Sequence, residues 1–579
     1  DGIEVPNLNH CGSQGSTGGP ISIINIRFID EVALSAGGFG ARYGDRTASV
    51  TDLVLRDGNR DRVAGELNVA ASQVGAVLEG PIGDHASFFA NVRQSYLDLL
   101  FRALGQSFIP SYQDATVKLA WVPSPRDRVT LLGIGARGTV EFDNTDADDR
   151  LENARILSPE QDQVVLGVVW RRLLPDGVLT TTLSRTWSGF SAAQRDTLLS
   201  PIFANESSEG ELSARSDLVL RLHPAWSLES GAQIVRAENA YDVTLADVVR
   251  RDDAGVARRL AVDTAFGGSR LAGYSAVTWS PGTRWRVTAG ARADRYGLLQ
   301  GAVRWAPRAA ITLSPDRLGS LTLSGGRYWQ APSSIWLLGD PANAATLRPF
   351  RADHLVAGWS RRIGSDSKVQ VEVYGKRYAE YPVRAWRPVA VLQPTGFDDA
   401  SSDIPFGLEP LVSAGRGSAA GLELFAQRRL GELPLYGQVA ASFNRTRFTG
   451  LSGESRVGAF DTPVLVNAVL GWRPSPRLEV AARARAASGL PETPFVTSGP
   501  TAGTLDFARY HTERGASFAA LDVRVDRRFT LGGTQLIAFL DLQNVTGRAT
   551  QGRATWNART QRVERSEGIG LLPTIGLNW

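Results

Sequence analysis

Leu521-Asp522-Val523-Arg524-Val525-Asp526 (LDVRVD) decides how the chain is read. Apolar and charged side chains alternate one for one. A period of two puts the two sets on opposite faces of a β-strand. The same alternation recurs where Val369, Val371 and Val373 are interleaved with Gln370, Glu372 and Tyr374. It recurs again where Leu218, Leu220 and Leu222 alternate with Asp217, Val219, Arg221 and His223. A soluble sandwich would turn its apolar set to a core. Here the polar set is rich in full charges, and the strands are too many for one sandwich. The apolar set is therefore expected to meet lipid and the charged set water.

The connections support that choice. Ten short turn sequences punctuate the alternating runs, from Gly80-Pro81-Ile82-Gly83-Asp84 and Pro123-Ser124-Pro125-Arg126-Asp127 to Pro474-Ser475-Pro476 and Leu531-Gly532-Gly533. Longer polar stretches fall between them at 142–161, 192–210, 240–267, 332–350, 382–414, 490–512 and 548–567. Short turns at one end and long loops at the other are the rhythm of an outer-membrane barrel. One strand on each side of every turn, with one more at each end, predicts an all-β membrane protein built as a 22-stranded antiparallel transmembrane β-barrel. A ring of that size has a lumen wide enough to need a plug. The last residues alternate too: Ile575, Leu577 and Trp579 against Thr574, Gly576 and Asn578. The strand ending at Trp579 is expected to close the ring, because lipid cannot satisfy an open edge. Trp121, Trp170, Trp226, Trp305, Trp329 and Trp472 lie near strand ends, as interfacial girdles require.

Composition excludes other classes. The 579 residues are 43% hydrophobic and 21% charged, with mean hydropathy -0.13. No apolar run approaches the roughly 18 residues of a membrane-spanning helix; Val164 to Trp170 is far too short. A net charge of +4 gives nucleic-acid binding little support. The single Cys11 excludes an internal disulfide and any multi-cysteine metal site. Methionine is absent even at position 1, which predicts a processed or truncated chain. No Gly-x-Ser-x-Gly, phosphate loop or His-Glu-x-x-His is present, and the five histidines are scattered, so no enzyme is expected.

The front of the chain has another texture. Asp1 to Pro20 is a polar Gly/Ser-rich loop, in which adjacent His10 and Cys11 cannot complete a tetrahedral metal site. Ile29 to Gly58 (IDEVALSAGGFGARYGDRTASVTDLVLRDG) holds two strand-like runs, Glu31–Leu34 and Ser49–Leu55. Gly37-Gly38-Phe39-Gly40 lies between them and is expected to make a tight bend. Asp143, Asp146, Asp148 and Asp149 are dense in the oxygen ligands that calcium takes, but the run lacks the glycine and distal glutamate of a calcium loop. A structural calcium in an outer loop and a solvated acidic loop are the two readings. Tyr374, Tyr378, Tyr381 and Trp386 could stack on a sugar or catecholate-type ligand or lie in a girdle, the girdle being favoured for Tyr374 and Tyr378.

At this point the sequence resembles the TonB-dependent outer-membrane receptors. The segments carrying the resemblance are Ile29–Val32, Gly37–Phe39 and Arg42–Arg46 at the front. In the barrel they are Val287–Tyr296, Gly326–Pro332, Gly415–Glu423, Ser488–Pro494, Leu540–Gly547 and Gly570–Trp579. Trp579 stands where the family more often ends on Phe. The resemblance implies that residues 1–61 are the C-terminal part of a plug domain inside the lumen and that 62–579 are the barrel. The TonB box and first plug strands of the family would precede Asp1. It implies active uptake of a scarce large solute of the ferric siderophore, cobalamin or oligosaccharide type, bound between plug apex and outer loops. It also implies TonB-ExbB-ExbD, the barrel-assembly machinery and lipopolysaccharide as partners, a larger surface complex remaining open. The apex candidates are Asn7, Asn9, His10, Ser13 and Gln14. Arg42, Asp45, Arg46, Asp52 and Arg56 are the plug charges expected to meet the wall, since a buried polar face must be matched. A passive pore or structural barrel derived from such a receptor is the alternative.

Overall fold

The computed structural model describes residues 1–579 except 13, 16, 17, 20, 71, 104, 155, 300, 316, 317, 394–402 and 569. Twenty-two antiparallel strands close into one ring. The ring begins with Ala64–Val69, Gln73–Ile82 and Ala86–Ser95, and runs up and down in chain order to Phe518–Leu531, Thr534–Gln543 and Leu572–Asn578. A three-residue stub, Ser455–Val457, adds to the upper part of Leu435–Thr449. The ring shuts where Leu577 lies opposite Val69 and Asn578 opposite Asn68. Leu67 and Trp579 then exchange backbone hydrogen bonds of 2.8 and 2.9 Å. In hydrocarbon this closure is obligatory, because each unpaired peptide group would cost several kcal/mol.

The short turn sequences each join consecutive strands at one end of the ring. At the other end two expectations are corrected. Residues 192–195 and 201–210 are strand, as are 240–245 and 260–267, so the loops shrink to 196–200 and 246–259. Gly177–Arg195, Pro201–His223, Trp226–Leu245 and Leu260–Trp279 are paired over almost their whole length, the longest reaching 23 residues. Their polar residues sit where the sheet continues above lipid: the backbone is satisfied by the ladder and the side chains by water.

Lys376 fixes which face is which. Its Nζ donates to the carbonyl of Ala48 at 2.9 Å, in the N-terminal segment. Even positions of Ser367–Arg384 up to Tyr378 therefore face inward and odd ones outward, where Val373 is 54% exposed; a bulge at Glu380, φ 59°, then turns Tyr381 inward as well. Tyr374 and Tyr378 share the inward face. This overturns the girdle reading: Tyr378 stacks on Phe448 at 5.5 Å and meets Tyr381 at 5.3 Å inside the ring. Trp121, Trp226, Trp279, Trp285, Trp472 and Trp579 are exposed beside the short turns, with Trp226 packed on Trp279 at 6.0 Å. Trp305 is exposed as well. Trp329 is not a girdle residue: it is buried, donates to the Trp305 carbonyl at 2.9 Å and carries the Arg304 guanidinium on its ring at 4.9 Å.

In the N-terminal segment, Ile29–Ser35 pairs with Val50–Leu55, Leu34 lying opposite Thr51. The tight bend is corrected. Residues 36–49 make a longer excursion, and their glycines serve close approach instead of a hairpin. Gly38 has φ 65°, and a Cβ there would strike Ser324 of the wall; one on Gly44 would strike Arg292.

Candidate functional site

Residues 1–61 meet the inner face of the ring from Ala64–Val69 round to Ser367–Arg384. At the outer end of the segment, His10 Nε2 lies 3.0 Å from Asp114, which also holds Arg93 at 2.8 Å. Gln163 donates to the Asn9 carbonyl at 2.8 Å, and the Gly12 amide donates to Gln161 at 2.9 Å. Asn7 turns back on its own loop, accepting from the Asn9 amide at 3.0 Å and donating to Gly18 at 3.3 Å. Burial pushes the Cys11 thiol up to about 11. Ser13 lies outside the described residues.

Gln14 stands at the centre of a polar patch on Pro201–His223 and Trp226–Leu245. It donates to Glu209 at 2.7 Å and accepts from Asn205 at 2.8 Å and Ser207 at 3.2 Å. Tyr241 donates to the same Glu209 oxygen at 2.7 Å. Above this patch a buried apolar cluster draws on strand ends and outer loops, including Phe203, Leu245, Tyr296, Ile335, Trp336, Phe406 and Leu408. Polar residues tie the loops together. Arg250 donates to the carbonyls of Leu408 at 2.9 Å and Gly339 at 2.8 Å. Asn343 donates to the Trp336 and Glu409 carbonyls and accepts from the Leu411 amide, at 2.9–3.0 Å. Arg384 pairs with Glu409 and Asp403.

Deeper in, charges meet charges. Arg42 lies 3.3 Å from Asp217, which also takes Arg215 at 2.9 Å and the Tyr274 hydroxyl at 2.6 Å. Asp45 pairs with Arg270 and accepts from the Ala331 amide at 2.7 Å. Arg56 pairs with Glu79, whose other bond, at 3.0 Å, comes from the Asn59 amide. Arg46 and Asp52 stay within the segment: Arg46 holds Glu4 at 2.6 Å, and Asp52 accepts from Tyr43 at 3.1 Å. Burial raises the Glu4 carboxyl, but Arg46, Arg270 and Arg215 outweigh it and hold it below the usual range.

Several wall residues carry this contact without having been singled out in the sequence. Arg308 donates to the Tyr43 carbonyl at 2.7 Å, Tyr328 to Phe39 at 3.1 Å, and His354 Nε2 lies 3.0 Å from the Thr47 carbonyl. Arg292 is buried against Asp294 at 2.9 Å and reaches the Arg42 carbonyl at 3.1 Å. One signal was available. Arg-x-Asp puts both charges on one face of a strand, and Arg215–Asp217, Arg292–Asp294 and Arg524–Asp526 each close at 2.8–2.9 Å.

The rest of the wall lacks this cover. On Leu411–Arg428 through Thr534–Gln543 no described hydrogen bond or ion pair reaches residues 1–61, and inward-facing Gln438, Asn467 and Arg483 are exposed. The acidic loop is likewise dispersed. Asp143 accepts from Thr145, Ala147–Asn153 is helical, and Asp148 pairs with Arg559 at 2.7 Å. Among the described residues no group of three His, Cys, Asp or Glu side chains is placed to hold a metal ion.

No family model and no curated protein matches the chain. Solved structures do. A mutant form of the ferric enterobactin receptor PfeA of Pseudomonas aeruginosa superposes with TM-score 0.71 at 13% identity, over 99% of this chain and 90% of that one. The outer membrane transporter YddB of Escherichia coli gives 0.68 at 12% identity, over 100% and 88%. The FrpB iron transporter of Neisseria meningitidis gives 0.69 at 15%, over 97% and 88%. At such identities the shared property is the fold. The closed ring, its outward apolar belt and these neighbours make the chain an outer-membrane β-barrel.

Proposed function

We propose that the chain is a TonB-dependent receptor that takes up a scarce large solute across the outer membrane, with residues 1–61 acting as plug. The observation that carries this reading is the set of ion pairs between segment and wall, Arg42–Asp217, Asp45–Arg270 and Arg56–Glu79, beneath the apolar cluster of the outer loops. The segment also packs on the wall through an apolar cluster in which Ile23, Ile24, Phe28 and Leu55 meet Phe89, Leu132 and Val165, so the external work that shifts it must part that cluster as well as the ion pairs. The solute is of the ferric siderophore, cobalamin or oligosaccharide type. The siderophore class is favoured because a ferric enterobactin receptor and an iron transporter share the fold. The outer loops and the Gln14 patch would receive it, and energy would arrive from TonB-ExbB-ExbD. Uptake of a labelled ferric siderophore by cells expressing the protein is the test: uptake should stop when an uncoupler collapses the proton gradient. Uptake indifferent to the uncoupler sinks the proposal.

A second reading has its own observation. The uncovered wall with exposed Gln438, Asn467 and Arg483 is what a passive pore needs. Planar-bilayer recording separates the two, since a constant large conductance supports the pore and a silent barrel supports the plug.

A further inference from the structure

Two neighbouring strands of the wall part company within the membrane. Val303–Leu313 and Ser320–Gln330 are in register from Leu313 opposite Leu321 up to Arg308 opposite Gly326. Both strands continue upward, as Val303–Pro307 and Arg327–Gln330, yet among the described residues no rung joins them there. Each keeps its other neighbour: Val303 lies opposite Arg295, and Gln330 opposite Phe350. Local residues account for the break. Pro307, at the first missing rung, has no amide to donate. Gly326 stands just below it, where a Cβ would come within 3.0 Å of the Pro307 carbonyl.

The height of the breach matters. Counted from Leu313 at about 3.3 Å per residue and a tilt of about 40°, it runs from about 15 to about 25 Å above the short turn, inside an apolar belt about 25 Å tall. Asp127–Phe142 and Ser158–Leu174 also part, but above Gly138 opposite Gln161, which is about 28 Å up and clear of that belt.

Side chains close the gap. Trp329 is 7% exposed, and its indole Nε1 donates across the gap to the Trp305 carbonyl at 2.9 Å. The Arg304 guanidinium lies on its ring at 4.9 Å and that of Arg351 at 6.0 Å. On the lipid side Val303 and Trp305 are 52% and 64% exposed, with Leu323 and Leu355 exposed below them. On the lumen side Trp329 belongs to the apolar cluster of the mouth, together with Tyr296, Leu299, Ala306 and Ile335. Apolar surface thus runs from lipid, past one ring, into that cluster. A ladder rung cannot part in hydrocarbon without stranding backbone groups, whereas a ring held by one hydrogen bond and two cations moves by a change of rotamer.

We propose that the breach is a lateral portal, gated by Trp329, through which the acyl tail of an amphiphile passes between the outer leaflet and the apolar cluster of the mouth. An acyl chain is the class that fits, because it is narrow, already lies in the leaflet and meets apolar side chains from Val303 to Ile335. The proposal rests on the barrel spanning the outer membrane and not on energised uptake.

Photo-crosslinking of the full chain in liposomes is the test. The probe is a phosphatidylcholine with a diazirine on its acyl chain or, in a parallel set, diazirine-bearing palmitate. Peptide mass spectrometry then reads label on residues 334–338, which include buried Ile335 and Trp336, against label on lipid-facing Val373. The unaltered protein should carry label on 334–338. W329A should raise it by about fivefold or more, as the closed population loses its seal. W472A, which removes an exposed ring from the inner girdle, should leave it unchanged. Both variants must remain heat-modifiable barrels. Label from both probes means that chains of membrane lipid enter, and label from palmitate alone confines the portal to single-chain amphiphiles. No label on 334–338 of the unaltered protein overturns the proposal even if W329A gains it, because the ring would then be a fixed seal. Label that W329A leaves unchanged overturns it too, since that label would have entered by the mouth.

Discussion

The two sides of the lumen are built from the same alternating strands and treat charge in opposite ways. From Gln73–Ile82 to Ser367–Arg384 the inward charges are buried and closely matched: Asp114 with Arg93 and His10, Asp217 with Arg42 and Arg215, Asp294 with Arg292. From Leu411–Arg428 onward polar residues such as Gln438, Asn467 and Arg483 meet water, and the inward charges that do pair, such as Arg485 with Asp522 and Arg524 with Asp526, pair within the wall. A buried ion is tolerated only when its partners are in place, whereas a solvated one needs none. Pairs within the wall occur on both sides, so what the N-terminal segment adds is further partners, and burial, on one side only.

The largest expected effect tests that contrast directly. Arg292→Ala removes the partner of Asp294, a carboxylate that is only 2% exposed, and also the donor to the Arg42 carbonyl. The loss should be about 3–5 kcal/mol, the usual cost of stranding a buried charge. Arg483→Ala on the uncovered side should change stability by no more than about 0.5 kcal/mol. Urea titration of both variants in lipid vesicles measures the pair. Equal losses would erase the distinction between the two sides.

A smaller effect reports on the segment itself. Cys11 is buried and its thiol is pushed up to about 11, against an ordinary 9.0, so at a given pH it carries about a hundredfold less thiolate than a free cysteine. Maleimide should label it correspondingly slowly. Asp114→Ala releases both His10 and Arg93 and should speed labelling by about tenfold, as local opening becomes easier. Removing Asp522, which pairs with Arg485 at 3.0 Å on the uncovered side, should leave the labelling rate where it was.

What could be read from the sequence divides along the same line. The ring itself was legible, because period-two alternation and Gly/Pro turns are local signals and the closing strand repeats them up to Trp579. Inside and outside were harder. Tyr374 and Tyr378 look like girdle aromatics until Lys376 sets the parity, and that needs its partner carbonyls 328 and 340 residues away. Trp329 sits where a girdle residue would, and only the folded positions of Arg304 and Arg351 reveal that it is covered. Polar stretches such as 192–210 read as loop because a strand above lipid has the composition of a loop. In the segment, Arg42, Asp45 and Arg56 face wall partners, while Arg46 and Asp52 turn to Glu4 and Tyr43. Composition alone does not separate these cases. The cover of the mouth drew on Ile335, Trp336 and Phe406, scattered apolar residues in polar loops that carry no period at all.

The smallest effect concerns the loops over the uncovered side, where a histidine joins Arg456 and Arg514 in docking one loop on another. His511 Nδ1 lies 2.8 Å from the Val457 carbonyl, and its ring stacks on Tyr510 at 3.8 Å. Burial lowers its pKa to about 4 from 6.5; the Val457 carbonyl opposes that shift and nearby Arg553 adds to it. The sign follows from linkage. An undocked loop binds the proton first, so the docked state is fully favoured above pH 6.5 and loses stability as pH falls from 6.5 toward 4. Hydrogen exchange over 493–512, corrected for the intrinsic pH dependence, should therefore show protection falling as pH drops from about 7 to about 5. H511Q, which cannot titrate, should show no such fall. The covered-side mouth is no control, because it holds Glu409, whose carboxyl burial raises although Arg384 opposes the shift. A fall that persists in H511Q would mean that acid loosens the barrel top and that His511 is incidental.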